Sequence, residues 1–331
     1  MGRNDRMGDP MPSDVQPMLA TPGELPDDAD RWGLELKWDG VRAMVYVSGG
    51  QVRAVGRRGL DATRRYPELQ ALADLLPGQA AVVDGEVVAF DERGLPSFQR
   101  LQHRMHVEHP DPLLARRVPV HYIAFDLLYL DGYLLYDMPY RDRRALLDEL
   151  ELAAGPIEAP PYLPGTAVDQ IGELLAYTRE QGLEGLIAKR LDSPYRPGRR
   201  VDYWRKIKNF RTQDVVIGGW KEGQGRREGG VGSLLLGVYE DGDLRFVGHV
   251  GTGFTDAALD DLHKIITPLE RATSPYATEI PREYARTAHW VEPWLVGEVE
   301  FSRWTLDGML LHASWRGLRP DLDPGEVRAD P

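Results

Sequence analysis

Residues 35–42 read Glu35-Leu36-Lys37-Trp38-Asp39-Gly40-Val41-Arg42, and the alternation running into them decides the fold of the N-terminal two thirds. From Trp32 onward, Leu34, Leu36 and Trp38 share one face of an extended segment and Glu35, Lys37 and Asp39 the other, as side chains alternate along a strand. Residues 43–47 continue as a second apolar strand, and further strands are predicted over 81–90 (interrupted by Gly85), 120–130, 185–190 and 203–208. A short amphipathic helix is predicted over 65–76, and longer helices over 141–152 and 168–181.

Beyond residue 211 the character changes. DVVIGGW, GSLLLGVYE, LRFVGHVG and LVGEVEFSRW are short strand patterns parted by glycine-rich turns, with one helix near 255–267. That pattern predicts a small β-barrel. The fold class is α+β with two domains, 17–210 and 211–325, a mobile tail over 1–16 and a short tail over 326–331.

Composition narrows the function classes. The 331 residues contain no cysteine, which removes disulfides, thiol nucleophiles and Cys-ligated zinc together. No run of about 18 apolar residues occurs and the N-terminus has no apolar signal core, so a cytoplasmic protein with no membrane partner is expected. The net charge of −12 argues at first against a polyanionic partner. Its distribution changes that reading. Residues 1–30 carry −5 and residues 321–331 carry −3, while 189–211 hold nine Lys/Arg against two Asp. Affinity for phosphates follows such local clusters.

Lys37 at the end of a strand, followed by Asp39-Gly40 and Arg42, can serve as a nucleophile toward phosphorus. A lysine attacks only as the neutral amine, so nearby cations, a metal or burial must ease its deprotonation. Arg42 is close enough to do so and can also bind phosphate in forked geometry. Downstream stand Gly56-Arg57-Arg58-Gly59, Asp84-Gly85-Glu86, Phe125-Asp126, Glu184 to Lys189 and Trp204-Arg205-Lys206-Ile207-Lys208. Lys206 and Lys208 project to one strand face, two cations for one phosphate group. Glu86 and Glu184 offer the hard oxygen ligands that Mg2+ prefers. Phe125 offers a flat ring to a nucleobase. His103, His106 and His109, within a basic segment, read as facing nucleic acid or solvent rather than as a metal cluster. Residues 223–230 lack the following helix of a dinucleotide fingerprint and read as a barrel loop that touches DNA through Arg226 and Arg227.

The ordered set resembles the covalent nucleotidyltransferases, and within them the ATP-dependent DNA ligases. PMLA (17–20), ELKWDGVR (35–42), FDLLYLDG (125–132), EGLIAKRLDSPYRPGRR (184–200), WRKIK (204–208) and GHVGTGF (248–254) are similar to the ligase domain of bacterial ligase D. The resemblance implies an ATP-grasp-like adenylation (nucleotidyltransferase) domain followed by an OB-fold barrel. It implies that Lys37 takes AMP from ATP, that Glu35 contacts adenine and that Phe125 stacks on it. Arg42, Arg57 and Glu86 would hold ribose, phosphate and the 5′ end of the nick. Glu184, with Glu86, would bind Mg2+ or Mn2+; Lys206 and Lys208 would contact the α-phosphate; Arg200 would touch the same nucleotide. The implied partner is nicked duplex DNA in end-joining repair and recombination, handled by a monomer associated with the nucleoid. Ku, polymerase and nuclease on other chains are further candidate partners.

One stretch departs from the family pattern. Arg319 and Asp321 of the barrel-domain motif are present, but Leu311 and Leu322 stand where cations usually orient the β and γ phosphates. Self-adenylylation is therefore expected to limit turnover, and Leu322→Lys to speed it. The alternative reading is an RNA ligase or capping-type nucleotidyltransferase with the same lysyl chemistry. A reading of another class is a non-catalytic nucleic-acid-binding module.

Overall fold

Alternate residues of the Val41–Ser48 strand enter two different cores. Ala43, Val45 and Val47 join a layer with Leu69, Leu72, Leu101 and Leu147. Met44 and Tyr46 join another with Met18, Leu128, Tyr195 and Trp204. Successive side chains leave a strand on opposite faces, so this pattern requires a sheet covered on both sides. The computed structural model describes residues 9–223 and 229–330. It divides into two compact units, Met1–Asn209 and Phe210–Pro331.

Two sheets build the first unit. The seven-stranded sheet runs Gln51–Gly56, Val41–Ser48, Ala81–Val88, His121–Leu130, Ile157–Glu158 and Ala153–Ala154, with Tyr133–Leu134 paired to the His121–Leu130 strand. The five-stranded sheet runs Leu19–Pro22, Arg200–Lys208, Gly185–Arg190, Trp32–Leu36 and Leu163–Pro164. Met18, Met44, Tyr46, Val82, Leu128, Tyr195 and Trp204 fill the layer between them. Helices Phe98–Met105 and Tyr140–Glu149 cover the far face of the first sheet. Helix Val168–Glu180 covers the far face of the second through Ile171, packed with Leu34 and Leu186.

Several elements differ from expectation. The segment 65–76 is a 3-10 turn, Pro67–Gln70, leading into a single α-helical turn and a quarter, Ala71–Leu75. Ala81–Val88 is one continuous strand, but its pairing with His121–Leu130 slips beside Gly85, whose missing side chain makes room for the Tyr122 ring. The tail expected to be mobile over 1–16 is packed where it is described. Val15 is buried and its N–H donates to the Tyr46 hydroxyl at 2.7 Å, while the Tyr129 hydroxyl donates to the Asp9 carbonyl at 3.0 Å. The apolar Met11, Val15 and Met18 explain this, since they complete the inter-sheet core.

In the second unit an antiparallel sheet curls into a half-barrel, ordered Asp243–Val250, Val231–Glu240, Arg211–Glu222, Ala288–Phe301 and Glu270–Arg271, with Ser314–Leu318 also pairing to Ala288–Phe301. Bulges beside Gly218 and Gly237 and at Glu298/Val299 supply the curvature. Helix Asp256–Ile266, capped by the Thr255 hydroxyl on the Ala258 N–H, closes one side with Leu259, Leu262 and Ile266. Arg226 and Arg227 lie outside the described residues. No helix among the described residues is long and apolar enough to cross a membrane.

Leu322 is 7% exposed within the core of this second unit. A lysine there would have to bury its ammonium or pull out of the core. We expect Leu322→Lys to destabilise the protein by about 3 kcal/mol without speeding self-adenylylation. Denaturant unfolding of the variant beside wild type checks the first part, and single-turnover labelling the second.

Candidate active site

The layer between the two sheets is apolar for much of its extent and charged where the Trp32–Leu36 strand ends. Lys37 follows that strand directly, and its N–H donates to the Gly185 carbonyl at 2.9 Å. The Lys37 Nζ forms an ion pair with the Glu184 carboxylate, which is buried. Gly40 lets the turn close: a Cβ there would collide with the Val87 carbonyl. Register places the rest. Glu35 pairs with Ile187, and Ile187 with Lys206 one strand further, so the three form one row across the sheet. Gly185 pairs with Lys208 in the next row, beside Lys37. Neighbouring strands lie about 4.8 Å apart, and Gly185 has no side chain to fill the space between Lys37 and Lys208. Its φ of 132° and the Ile207 carbonyl against its missing Cβ both select glycine.

The facing sheet contributes Arg42, Asp84, Glu86 and Phe125. Arg42 pairs across strands with Glu86, and its guanidinium grips Asp84 in a fork, with Nε and Nη2 each 2.6 Å from one carboxylate oxygen. A bulge opposite Asp84/Gly85 leaves Phe125 out of the ladder, so its ring reaches the inter-sheet layer. The Arg42 guanidinium lies 4.7 Å and the Lys189 ammonium 4.4 Å from the centre of that ring. Burial disfavours the Arg42 charge, but Asp84 outweighs it and holds the guanidinium above the ordinary arginine range. For Lys189 the balance reverses: burial pushes its ammonium below the ordinary lysine range against the pull of Glu35 and Asp126.

The structure thus brings Glu35, Lys37, Arg42, Glu86, Phe125, Glu184, Lys206 and Lys208 to one end of the inter-sheet layer. Arg57 follows the Gln51–Gly56 strand, whose last residue pairs with Ala43, which sets it at the same sheet end as Arg42. Arg200 begins the strand that carries Lys206, with a bulge between them, and donates to the Ala20 carbonyl at 2.8 Å. Arg319 and Asp321 belong to the second unit, where they form a forked pair at 2.9 and 2.7 Å. Among the described residues no group of three His, Asp or Glu forms a metal cage, and His103, His106 and His109 are exposed. Asp84, Lys189 and Tyr195 stood in the sequence motifs without a role assigned to them, and Tyr140 stood in none. Lys189 could have been given one, as the only cation alternating onto the inner face of GLIAKR; Tyr140 carries no local signal.

Two adjoining stretches of the chain match models of known domains: the ATP dependent DNA ligase domain over residues 17–208, and the ATP dependent DNA ligase C terminal region over residues 227–322. The chain belongs to the ATP-dependent DNA ligase family, covalent nucleotidyltransferases with an OB-fold domain following the nucleotidyltransferase domain. It is 45% identical over 314 residues to the multifunctional non-homologous end joining protein LigD of Mycobacterium bovis, covering 95% of this chain and 39% of that protein. To LigD of Pseudomonas aeruginosa it is 37% identical, covering 97% of this chain and 37% of that one. The chain therefore spans about two fifths of the length of these relatives. Among solved structures it is similar to mycobacterial DNA ligase D complexed with ATP and MES, at 42% identity and a TM-score of 0.68, covering 95% of this chain and 98% of that one.

Asp84 is fully buried and accepts from Arg42 twice and from the Tyr195 hydroxyl at 2.7 Å. Asp84→Asn leaves a buried guanidinium without its counter-charge. We expect a loss of about 3 kcal/mol in unfolding free energy, against about 2 kcal/mol for Tyr195→Phe, which removes two hydrogen bonds, the one to Asp84 and the one from the Met18 N–H. Urea denaturation of the two variants checks the order.

Proposed function

We propose that this chain seals 5′-phosphate/3′-hydroxyl nicks in duplex DNA through a lysyl-AMP intermediate on Lys37. The observation that supports the reading is the register that sets the Lys37 backbone against Gly185, a residue without a side chain whose own partner across the sheet is Lys208 on the strand that also carries Lys206. In the first step the Lys37 Nζ, having lost a proton, attacks the α-phosphorus of ATP. The N–P bond forms as the bond to pyrophosphate breaks. AMP then passes to the 5′-phosphate of the nick, and the Lys37 amine is regenerated. The 3′-hydroxyl finally attacks that phosphate, the phosphodiester forms and AMP leaves. Such chemistry is accelerated by positioning and charge neutralisation more than by acid–base groups.

Lys206 and Lys208 are proposed to hold the α-phosphate, and Glu35 and Phe125 the adenine. Arg42, Arg57 and Glu86 take ribose, phosphate and the 5′ end. Arg42 does so from a guanidinium already fixed by Asp84 through Nε and Nη2. Glu86 and Glu184 offer the donor type that Mg2+ or Mn2+ takes, one or two carboxylates shared with substrate phosphates. A bound divalent ion would supply neutralisation of phosphate charge. We further propose a role in end-joining repair at the nucleoid, together with end-binding, polymerase and nuclease activities on other chains; the likeness to LigD supports this.

With α-labelled ATP the wild-type protein should acquire label that survives denaturation, and Lys37→Ala should acquire none while keeping its circular dichroism. Label persisting on Lys37→Ala and mapping to Lys189 or Lys206 would overturn the assignment. Nick sealing with ATP, GTP and NAD in parallel separates the DNA-ligase reading from a capping-type enzyme.

A further inference from the structure

Beside Glu35 lies a buried lysine, Lys189, to which the proposed function gives no role. Lys189 is 1% exposed, and its Nζ lies 2.8 Å from Glu35 Oε2 and donates to the Phe125 carbonyl at 3.1 Å. Three rings surround it, Phe125, Trp204 and Tyr140, with centres at 4.4, 4.5 and 4.9 Å. The other Glu35 oxygen, Oε1, accepts from the Tyr140 hydroxyl. Tyr140 opens a helix that cannot shift easily. Its N–H donates to the Ser193 carbonyl at 2.8 Å, and three residues on Arg143 grips Asp126 in a fork at 2.7 and 2.8 Å.

Each Glu35 oxygen thus receives a donor from a buried, fixed side chain and keeps a further lone pair for a ligand. We infer that Lys189 and Tyr140 are positioning residues that set the purine preference of the site by fixing the Glu35 carboxylate as an acceptor. The inference rests on the reading of Glu35 as the adenine contact. Adenine offers an exocyclic amino group at the carbon where guanine carries an oxygen. A fixed carboxylate accepts from the first and faces only lone pairs on the second. A carboxylate free to swing would relieve that repulsion, and discrimination would fall. Sites built around a fixed polar partner reject the mismatched ligand strongly, because a buried group is left unpaired.

The test uses equilibrium binding of the α,β-methylene analogues of ATP and GTP, which cannot transfer a nucleotide, to protein freed of bound AMP by pyrophosphate. Tyr140→Phe removes one oxygen and leaves the helix intact. It should weaken the ATP analogue about tenfold and leave the GTP analogue unchanged, the size of one charge-assisted hydrogen bond. Lys189→Met should move the ratio in the same direction; if it fails to fold, Tyr140→Phe carries the comparison alone. In a Glu35→Gln background, Tyr140→Phe should leave the ratio where Glu35→Gln puts it. A merely structural tyrosine would act equally in both backgrounds, and that result overturns the inference. An unchanged ratio in Tyr140→Phe overturns it too, as does a wild-type protein without preference. Failure of the ligase reading would show separately, as wild-type protein that takes no label from α-labelled ATP.

Discussion

A sheet covered on both faces must divide its side chains between two layers, and in this chain the chemistry rides on the inner phase of that alternation. Arg42 is in step with Met44 and Tyr46, Asp84 and Glu86 with Val82, and Lys189 with Ile187. Each of these charges is therefore carried into the inter-sheet layer by the same periodicity that packs the core. A slip of one residue in any of these strands would bury apolar residues in the cleft and set the ionic ones against the helices. Register is fixed by the apolar pattern, and the site inherits its precision from it.

Carrying charges inward creates a second constraint. Asp84 and Asp126 stand directly opposite each other on neighbouring strands, both fully buried. Like charges in that relation destabilise a sheet. Each is answered by its own arginine in forked geometry, Asp84 by Arg42 from the adjacent strand and Asp126 by Arg143 from the helix above. Forked pairs of this kind fix orientation as well as charge. Buried ion pairs add little net stability compared with apolar packing. What they contribute here is rigidity: Asp84 fixes the Arg42 guanidinium, and Asp126 fixes Arg143 on the helix that carries Tyr140. A site that works by positioning needs such a supporting shell.

The periodic and ordered features were legible in the sequence. Gly185–Arg190 coincides with the predicted strand, and Val168–Glu180 with the predicted helix to one residue. Lys37, Glu184, Lys206 and Lys208 could be grouped because each sits in a short run whose face is set by local alternation. What could not be read depends on contacts distant in sequence. Tyr140 meets Glu35 across 105 positions, and nothing near residue 140 announces it. The packing of residues 9–16 was hidden by their polar composition, because only Met11, Val15 and Met18 supply the contact. Leu322 was judged by motif position, while its burial follows from the curl of a half-barrel that no local pattern encodes.

Departures from regular structure gather around the charged end of the inter-sheet layer. The ladder between Ala81–Val88 and His121–Leu130 breaks at Asp84/Gly85, and that break brings both Phe125 and Asp126 toward the inner layer. A regular ladder would send one of them to the helix side, losing either the ring beside Arg42 and Lys189 or the carboxylate that Arg143 needs. Gly185 holds a φ that other residues rarely adopt, and it does so between Lys37 and Lys208. The strand beginning at Trp32 ends at Leu36, one residue before the lysine. Regular pairing uses every backbone group and closes the surface, so irregular positions such as these are where a sheet can open. In this chain the interruptions are few and adjoin one another. That is why a largely apolar two-sheet sandwich can carry a charged site at one end without losing its packing elsewhere.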